Sequence, residues 1–216
     1  MSSDIGLLVP RIATNGTVKG RETELSDMVL KESDTELDAG DPAPDFELEG
    51  ADGEMHALEE FADNEALLVV FTCNHCPYAK AKFDLLNELA DEYDDVAVVG
   101  INPNDADEYP DDSIAKMREY VEDGTIRYDA YLRDESQAVA RAYGAVCTPD
   151  PFLFAWSDAD EEFQLVYQGR LDDALNPDDE PTRFQIREAI DAVLADESVD
   201  LEWQPSQGCS IKWTDD

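Results

Sequence analysis

Residues 67–77 have the sequence LLVVFTCNHCP, and this stretch decides the fold of the chain. Its first five residues are apolar, and such an uninterrupted run is typical of a strand buried on both faces. Pro77 suits the first turn of a helix. Apolar residues recur after it at helical spacing, namely Ala79, Phe83, Leu86, Ala90 and Tyr93. The stretch therefore predicts a buried strand, a turn with two cysteines and then a helix.

Strands and helices alternate along the rest of the chain. Residues 96–101 form a second apolar run, and residues 131–132 suit a short strand. Helices are predicted after Ser113 and over residues 136–143, where Gly144 suits the left-handed position that ends a helix. Parallel strands joined by helices are therefore expected at the centre of the fold.

Antiparallel strands are expected on either side of this unit. Residues 45–48 alternate in polarity like a strand, and residues 152–155 and 165–167 lie a hairpin apart. A closing helix follows Thr182 and Gln185, which have the spacing of a capping box. The sequence thus predicts an α/β fold with a mixed central sheet flanked by helices.

The length of 216 residues favours one domain with extensions. We expect this domain at residues 37–200. Residues 1–36 are polar and lack sustained periodicity, so they predict an N-terminal extension without fixed structure, in which Met28 is a hypothetical alternative start. Residues 201–216 are predicted to be a C-terminal tail that contains Cys209.

The charge balance excludes several classes of function. Acidic residues number 53 against 15 basic ones, which gives a formal net charge of −38. A phosphate backbone or an anionic membrane surface would be repelled, so we expect neither nucleic-acid nor membrane partners. No apolar run reaches the ~18 residues that cross a bilayer, and no signal sequence is visible, so we expect a cytoplasmic protein.

The acidic residues are spread along the whole chain rather than collected in a tail. Self-repulsion on this scale destabilises a compact state in dilute buffer, whereas salt at about 1 M shortens the Debye length to roughly 3 Å. The composition therefore predicts a halophilic protein from a very salty cytoplasm.

Cys73 and Cys76 have the spacing of a redox dithiol. A thiol attacks a disulfide as the thiolate, which a helix N-terminus stabilises, and a second thiol separated from it by two residues resolves the mixed disulfide. We predict Cys73 as the nucleophile and Cys76 as the resolving thiol, with His75 stabilising the sulfur anion. The alternative, half of a zinc site, lacks a second pair of cysteines or histidines.

The local distribution of charge supports this assignment. Residues 66–83 contain no Asp or Glu, and they include Lys80 and Lys82. Carboxylates close to a thiolate would disfavour it. The window predicts an electropositive site without acidic neighbours, although the buried strand by itself explains part of it.

Three motifs together resemble the peroxiredoxin-like branch of the thioredoxin superfamily, which includes the alkyl hydroperoxide reductase and thiol-specific antioxidant proteins. They are residues 73–77 (CNHCP) after the apolar strand, residues 43–48 (APDFEL) and residues 144–149 (GAVCTP). The resemblance runs from about residue 31 to the C-terminus. It implies a thioredoxin-like fold, and it implies that Thr148 and Pro149 form a cis peptide facing the dithiol.

The chain also departs from this family. Peroxiredoxins carry Pro and Thr seven and three residues before the peroxidatic cysteine, and counting back from Cys76 gives Val69 and Cys73. Thioredoxins carry a buried Asp and a Trp where this chain has Leu67 and Thr72. Direct peroxidase activity is therefore in doubt, and proton transfer needs another group, for which His75 and water are candidates.

Cys147 and Cys209 are further candidates for a resolving or relay thiol. A single buried cysteine is more often a small apolar packing residue, so both interpretations stay open at this point.

Three functions fit these features. The first is a thiol–disulfide oxidoreductase that acts on disulfides of proteins or small molecules and is recycled by a thioredoxin-type reductant. The second is a thiol-dependent peroxidase whose substrate is a peroxide. The third is a copper or zinc carrier that uses Cys73, Cys76 and His75. The first two need no cofactor.

Overall fold

A seven-stranded mixed sheet lies at the centre of the protein, which we describe from a computed structural model over residues 30–34 and 36–214. Its strands, in spatial order, are β3 (Met55–Ala57), β2 (Glu47–Gly50), β6 (Ala130–Arg133), β5 (Val96–Asn102), β4 (Ala66–Phe71), β8 (Asp150–Ser157) and β9 (Glu162–Gln168). Strands β4, β5 and β6 are parallel, and the other neighbours pair antiparallel. The predicted central strand, β4, thus lies between two other strands, β5 and β8.

Helices cover both faces of this sheet. They are α1 (Pro77–Lys80), α2 (Phe83–Glu92), α3 (Ile114–Glu122), α4 (Ala138–Tyr143) and α5 (Gln185–Leu194). Successive side chains of a strand point to opposite faces. Leu68 and Val70 of β4 accordingly pack in one apolar core with α2 and α5, whereas Leu67 and Val69 pack in a second core with α4. The predicted α/β class, with a mixed sheet between helices, is confirmed.

A second, small sheet joins the two ends of the described chain. It consists of β1 (Leu30–Glu32), β10 (Gln207–Ser210) and β7 (Cys147–Thr148), all antiparallel. The C-terminal segment is therefore a strand of the domain rather than the tail we predicted. Leu30–Glu32 is likewise a strand within the predicted extension, whereas residues 1–29, Met28 included, lie outside the described residues.

Two helix predictions need correction. The helix after the dithiol is divided, because Lys82 has φ −107° and ψ −3°, outside regular helical values, and α2 begins only at Phe83. The apolar spacing continues across this break, which therefore leaves no trace in the periodicity. The capping box before α5 does not form either, since Thr182 Oγ1 donates to Asp173 Oδ2 at 2.6 Å instead of capping the helix.

Candidate active site

The dithiol turn lies between the end of β4 and the start of α1. Cys76 is the N-cap residue of α1 and Pro77 is its first residue, whereas Cys73 lies three residues earlier. Both cysteines are fully buried, and neither forms a disulfide. The thiol at the helix N-terminus is therefore Cys76, and Cys73, the predicted nucleophile, lies in the turn before it.

The loop before β8 covers the two sulfurs. Thr148–Pro149 is a cis peptide, as the resemblance implied. Cys73 Sγ lies 3.2 Å from Thr148 Oγ1, and Cys76 Sγ lies 3.5 Å from the carbonyl oxygen of Thr148. This one residue therefore contacts both thiols.

The two thiols have opposite tendencies to ionise. Hydrogen bonds from Cys209 and Cys73 lower the pKa of Cys76 well below the usual value of a thiol, in spite of its burial. Burial raises the pKa of Cys73, and the hydrogen bond to Cys76 and the negative charge of Asp112 raise it further. The electrostatics thus favour a thiolate at Cys76 and a neutral thiol at Cys73.

Asp112 is a site residue that sequence reasoning missed. It is fully buried, and its carboxylate forms an ion pair with Nδ1 of His75, whose side chain is 13 % exposed. The His75 ring also stacks on Tyr109, with centroids 4.8 Å apart. Asp112 lies in an acidic turn, and among 53 acidic residues such a turn carries no signal. The prediction that no carboxylate would lie near the thiols was wrong.

Four hydrogen bonds hold this carboxylate. Besides His75, Asp112 accepts from the backbone N–H of Asn74 at 2.6 Å, from Asn102 Nδ2 at 3.2 Å and from Asn104 Nδ2 at 3.0 Å. Burial raises the pKa of Asp112, but these donors outweigh it and lower the pKa below its ordinary value. A stable negative charge is therefore fixed behind the turn and orients Asn74 and His75.

Lys80 and Lys82 do not make the site electropositive. Lys82 Nζ lies 2.7 and 2.8 Å from the two carboxylate oxygens of Asp172, and both side chains are largely buried. Lys80 is exposed on α1. The window free of acidic residues thus reflects the buried strand and turn.

A model of the AhpC/TSA family matches residues 39–166, which is more than half of the chain. The chain belongs to the AhpC/TSA family. No curated protein matches it.

Solved structures extend the likeness of this AhpC/TSA protein to nearly the whole domain. A hypothetical protein from Sinorhizobium meliloti 1021 is 40% identical, with a TM-score of 0.77, and the match covers 85% of this chain and 98% of that one. An uncharacterized conserved protein from Geobacillus kaustophilus is 38% identical, with a TM-score of 0.79, over 88% and 98% of the two chains.

A more distant structure relates the fold to better-known groups. A putative thiol:disulfide interchange protein from Chlorobium tepidum is 21% identical, with a TM-score of 0.53, over 74% of this chain and 97% of that one. At this identity the likeness concerns the fold, and the predicted thioredoxin-like fold is confirmed.

The AhpC/TSA protein is an oxidoreductase with a redox function, for which thiols or peroxides are the general substrates. No helix in its described part is long and apolar enough to cross a membrane.

The remaining cysteines of the AhpC/TSA protein lie on opposite faces of the small sheet, in its neighbouring strands β7 and β10. In the pairing of β7 with β10, Cys209 lies opposite Thr148, and Cys147 lies opposite Ser210. Directly opposed residues of an antiparallel pair share a face, and the next residues along the strand take the other face. Cys209 therefore shares the face of Thr148, which contacts the dithiol, and Cys147 does not.

Cys147 has a buried carboxyl group as its neighbour. Its sulfur lies 3.6 Å from the carbonyl oxygen of Pro149, and Asp150 Oδ2 accepts from the N–H of Val146. Burial raises the pKa of Asp150 to about 8, and burial together with Asp150 raises the pKa of Cys147. This position favours a neutral packing residue at Cys147.

One group of side chains in the described residues has the spacing of a metal site. Ligand atoms of Cys73, His75 and Asp112 all lie within 4.8 Å of one another. The carboxylate of Asp112 already accepts four hydrogen bonds, so a metal ion would have to displace donors that are well placed. The donor set therefore fits a hydrogen-bonded network better than a metal ion.

Proposed function

We propose that this protein is a thiol–disulfide oxidoreductase whose redox centre is the Cys73–Cys76 dithiol. The observation that carries the proposal is that Cys76 is the N-cap residue of α1 and that Thr148, which precedes Pro149 in a cis peptide, contacts the sulfurs of both Cys73 and Cys76. Its low pKa supplies the thiolate that attack on a disulfide requires. The sequence identified Cys73 and Cys76 as the redox pair, with Cys73 as the nucleophile. The N-cap position and the lowered pKa of Cys76 instead favour Cys76 as the first nucleophile.

The proposed reaction has two exchange steps. The Cys76 thiolate attacks one sulfur of the substrate disulfide, forms a mixed disulfide and releases the other sulfur as a thiolate. Cys73 then loses its proton and attacks the sulfur of Cys76, which releases the second substrate thiolate and leaves a Cys73–Cys76 disulfide. The substrate disulfide gains two electrons and the dithiol loses them. A thioredoxin-type reductant returns the protein to the dithiol form.

His75 is proposed to accept the proton of Cys73. One ring nitrogen of His75 lies within 4.8 Å of Cys73 Sγ, and the carboxylate of Asp112, which is paired with Nδ1, holds the ring in place. Once Cys76 is part of a mixed disulfide, its negative charge no longer raises the pKa of Cys73. The Cys73 thiol therefore loses its proton more easily once Cys76 has reacted, while burial and the charge of Asp112 still raise its pKa.

Substrate access requires a movement, because both cysteines are fully buried. His75 and Tyr109 are partly exposed and Pro77 is exposed, so the turn itself is the side of the site closest to solvent. We place the approach of a disulfide on this side, and we propose the cytoplasm as the compartment that supplies the reductant.

The order of the two thiols is tested by trapping. Insulin-disulfide reduction should be lost in Cys76→Ser and should become slower in Cys73→Ser, whereas Cys147→Ser should keep wild-type activity as the matched control. Cys73→Ser should take up a disulfide probe on Cys76, and Cys76→Ser should take up none on Cys73. The reverse pattern would restore the order predicted from sequence, and no uptake in either variant would refute the dithiol mechanism.

A thiol peroxidase is the second candidate, and membership of the AhpC/TSA family favours it. Here the Cys76 thiolate attacks one oxygen of the peroxide, and the O–O bond breaks with release of hydroxide or an alkoxide. The resulting sulfenic acid reacts with the Cys73 thiol to form the disulfide and water. Stoichiometric consumption of hydrogen peroxide with loss of two thiols would support this function. Copurified copper or zinc without disulfide reduction would instead support the carrier function.

A further inference from the structure

At Gly208, strand β10 lies so close to the backbone of Thr148, the residue that contacts both dithiol sulfurs, that only glycine fits there. A Cβ atom on Gly208 would lie 2.0 Å from the carbonyl oxygen of Thr148. Real side chains do not tolerate this distance, so the strand docks here because Gly208 has no side chain. The docking also places α1 against β10.

Cys209 follows Gly208 and lies on the dithiol side of the strand. It faces Thr148, whose oxygen atoms lie 3.2 Å from the sulfur of Cys73 and 3.5 Å from the sulfur of Cys76. Only 2 % of Cys209 is exposed, and it packs in the same apolar core as the two dithiol cysteines. Three thiols therefore surround a single threonine.

The thiol of Cys209 is hydrogen-bonded to Cys76. This bond and burial raise the pKa of Cys209, and the positive charge of Lys212 opposes them. In the reduced site Cys209 is therefore a donor that stabilises the thiolate. When Cys76 enters a disulfide its charge is lost, and so is the main reason for the raised pKa of Cys209.

We infer that Cys209 is a third redox thiol, which resolves disulfides on Cys76 and forms an internal Cys76–Cys209 disulfide as an alternative to Cys73–Cys76. The inference rests on the proposed function. Cys209 loses its proton to solvent and attacks the sulfur of Cys76. If Cys76 is joined to a substrate, the substrate thiolate leaves. If Cys76 is joined to Cys73, the Cys73 thiolate leaves, and no further oxidant is needed.

Oxidised glutathione is the probe that tests this inference, in molar salt and without oxygen. In Cys73→Ser, Cys76 should first bind glutathione, and Cys209 should then release it. Two molecules of glutathione should leave for each protein, and linked peptides containing Cys76 and Cys209 should appear by mass spectrometry. Cys73→Ser/Cys209→Ser should stop at the adduct with one molecule released, whereas Cys73→Ser/Cys147→Ser should behave like Cys73→Ser.

A persistent glutathione adduct on Cys76 in the Cys73→Ser variant would overturn the inference and leave the proposed function intact. A chain that takes up no glutathione at all would instead refute the proposed function. If the Cys209→Ser variants do not fold, Cys209→Ala replaces them. The linked peptides in Cys73→Ser decide the question in either case, because that variant keeps Cys209.

Discussion

Single charged groups control the chemistry of this site. Asp112 is ionised and fully buried beside His75, whereas Asp150 is fully buried with a pKa of about 8. The difference lies in the donors, since four hydrogen bonds reach Asp112 and one carboxylate oxygen of Asp150 has no partner among the described residues. Burial therefore sets the direction of the pKa shift of a buried carboxyl group only where few hydrogen-bond donors stabilise its charge.

Asp112→Asn should slow disulfide reduction by about 10²-fold, the lower range for loss of acid–base assistance, because His75 loses the charge that orients it. It should also lower the pH at which Cys73 reacts with iodoacetamide, because the negative charge of Asp112 raises the pKa of Cys73. The pH–rate profile of alkylation measures this shift. Asp111→Asn is the matched control, since Asp111 contributes only its backbone carbonyl to Asn74. An unchanged profile in Asp112→Asn would contradict the assigned role.

Asp150 should make stability depend on pH. Its pKa is raised from 3.8 to about 8 by burial, so the folded state keeps a proton that the unfolded state loses. The free energy of unfolding should therefore fall as the pH rises from about 4 to about 8, by at most roughly 1.4 kcal/mol for each pH unit. Above about pH 8 this contribution should stay constant.

Asp150→Asn should remove this part of the pH dependence. Urea unfolding at several pH values measures it as the difference between the wild type and the variant. Asp158→Asn, at an exposed position, is the control and should follow the wild type. Parallel curves for Asp150→Asn and the wild type would show that Asp150 is ionised in the fold.

At the scale of elements, a buried ion pair joins the start of α2 to the loop after β9. Lys82 Nζ bonds Asp172, and it lies 3.4 Å from the carbonyl oxygen of Ala174. The pair lies at the break between α1 and α2. It therefore connects α1, whose N-cap residue is Cys76, to the loop after β9 that contains Asp172.

Lys82→Met should destabilise the protein by about 3–5 kcal/mol, because it leaves the charge of Asp172 buried without an opposite charge. Urea unfolding measures the loss. Lys80→Met is the control two residues away, on an exposed position, and should change stability by less than about 0.5 kcal/mol. The double variant Lys82→Met/Asp172→Leu should recover most of the loss. A small effect of Lys82→Met would mean that the pair is open to solvent.

The charge of the whole molecule sets the conditions in which the fold is stable. With a net charge of −38, the acidic side chains repel one another at low ionic strength. The ion pairs on the surface compensate only a small part of this repulsion. Screening by molar salt acts on the entire surface at once. This is an effect of the composition rather than of any single residue.

The melting temperature should rise by roughly 10 °C between 0.1 M and 2 M potassium chloride, since several kcal/mol of repulsion are screened. Differential scanning calorimetry across the salt series measures this. A nonionic osmolyte at matched osmolality should have a smaller effect, because it does not screen charge. Equal stability at low and molar salt would remove the halophilic interpretation.

The sequence by itself determined the central strand, the alternation of strands and helices, and the Cys73–Cys76 pair. Each of these depends on neighbours along the chain: an apolar run, a helical period or a spacing of two residues. The break at Lys82 escaped prediction, because the apolar period continues across it while its ion-pair partner lies 90 residues away.

Only the tertiary structure decided which residues meet the two thiols. Asp112 reaches His75 from another loop, and Cys209 reaches Cys76 on a strand at the far end of the chain. The ionisation of the dithiol also depends on these partners, because a pKa responds to burial and to charges in space. Sequence spacing identified the two sulfurs, whereas folding brought together the partners that lower the pKa of Cys76 and raise that of Cys73.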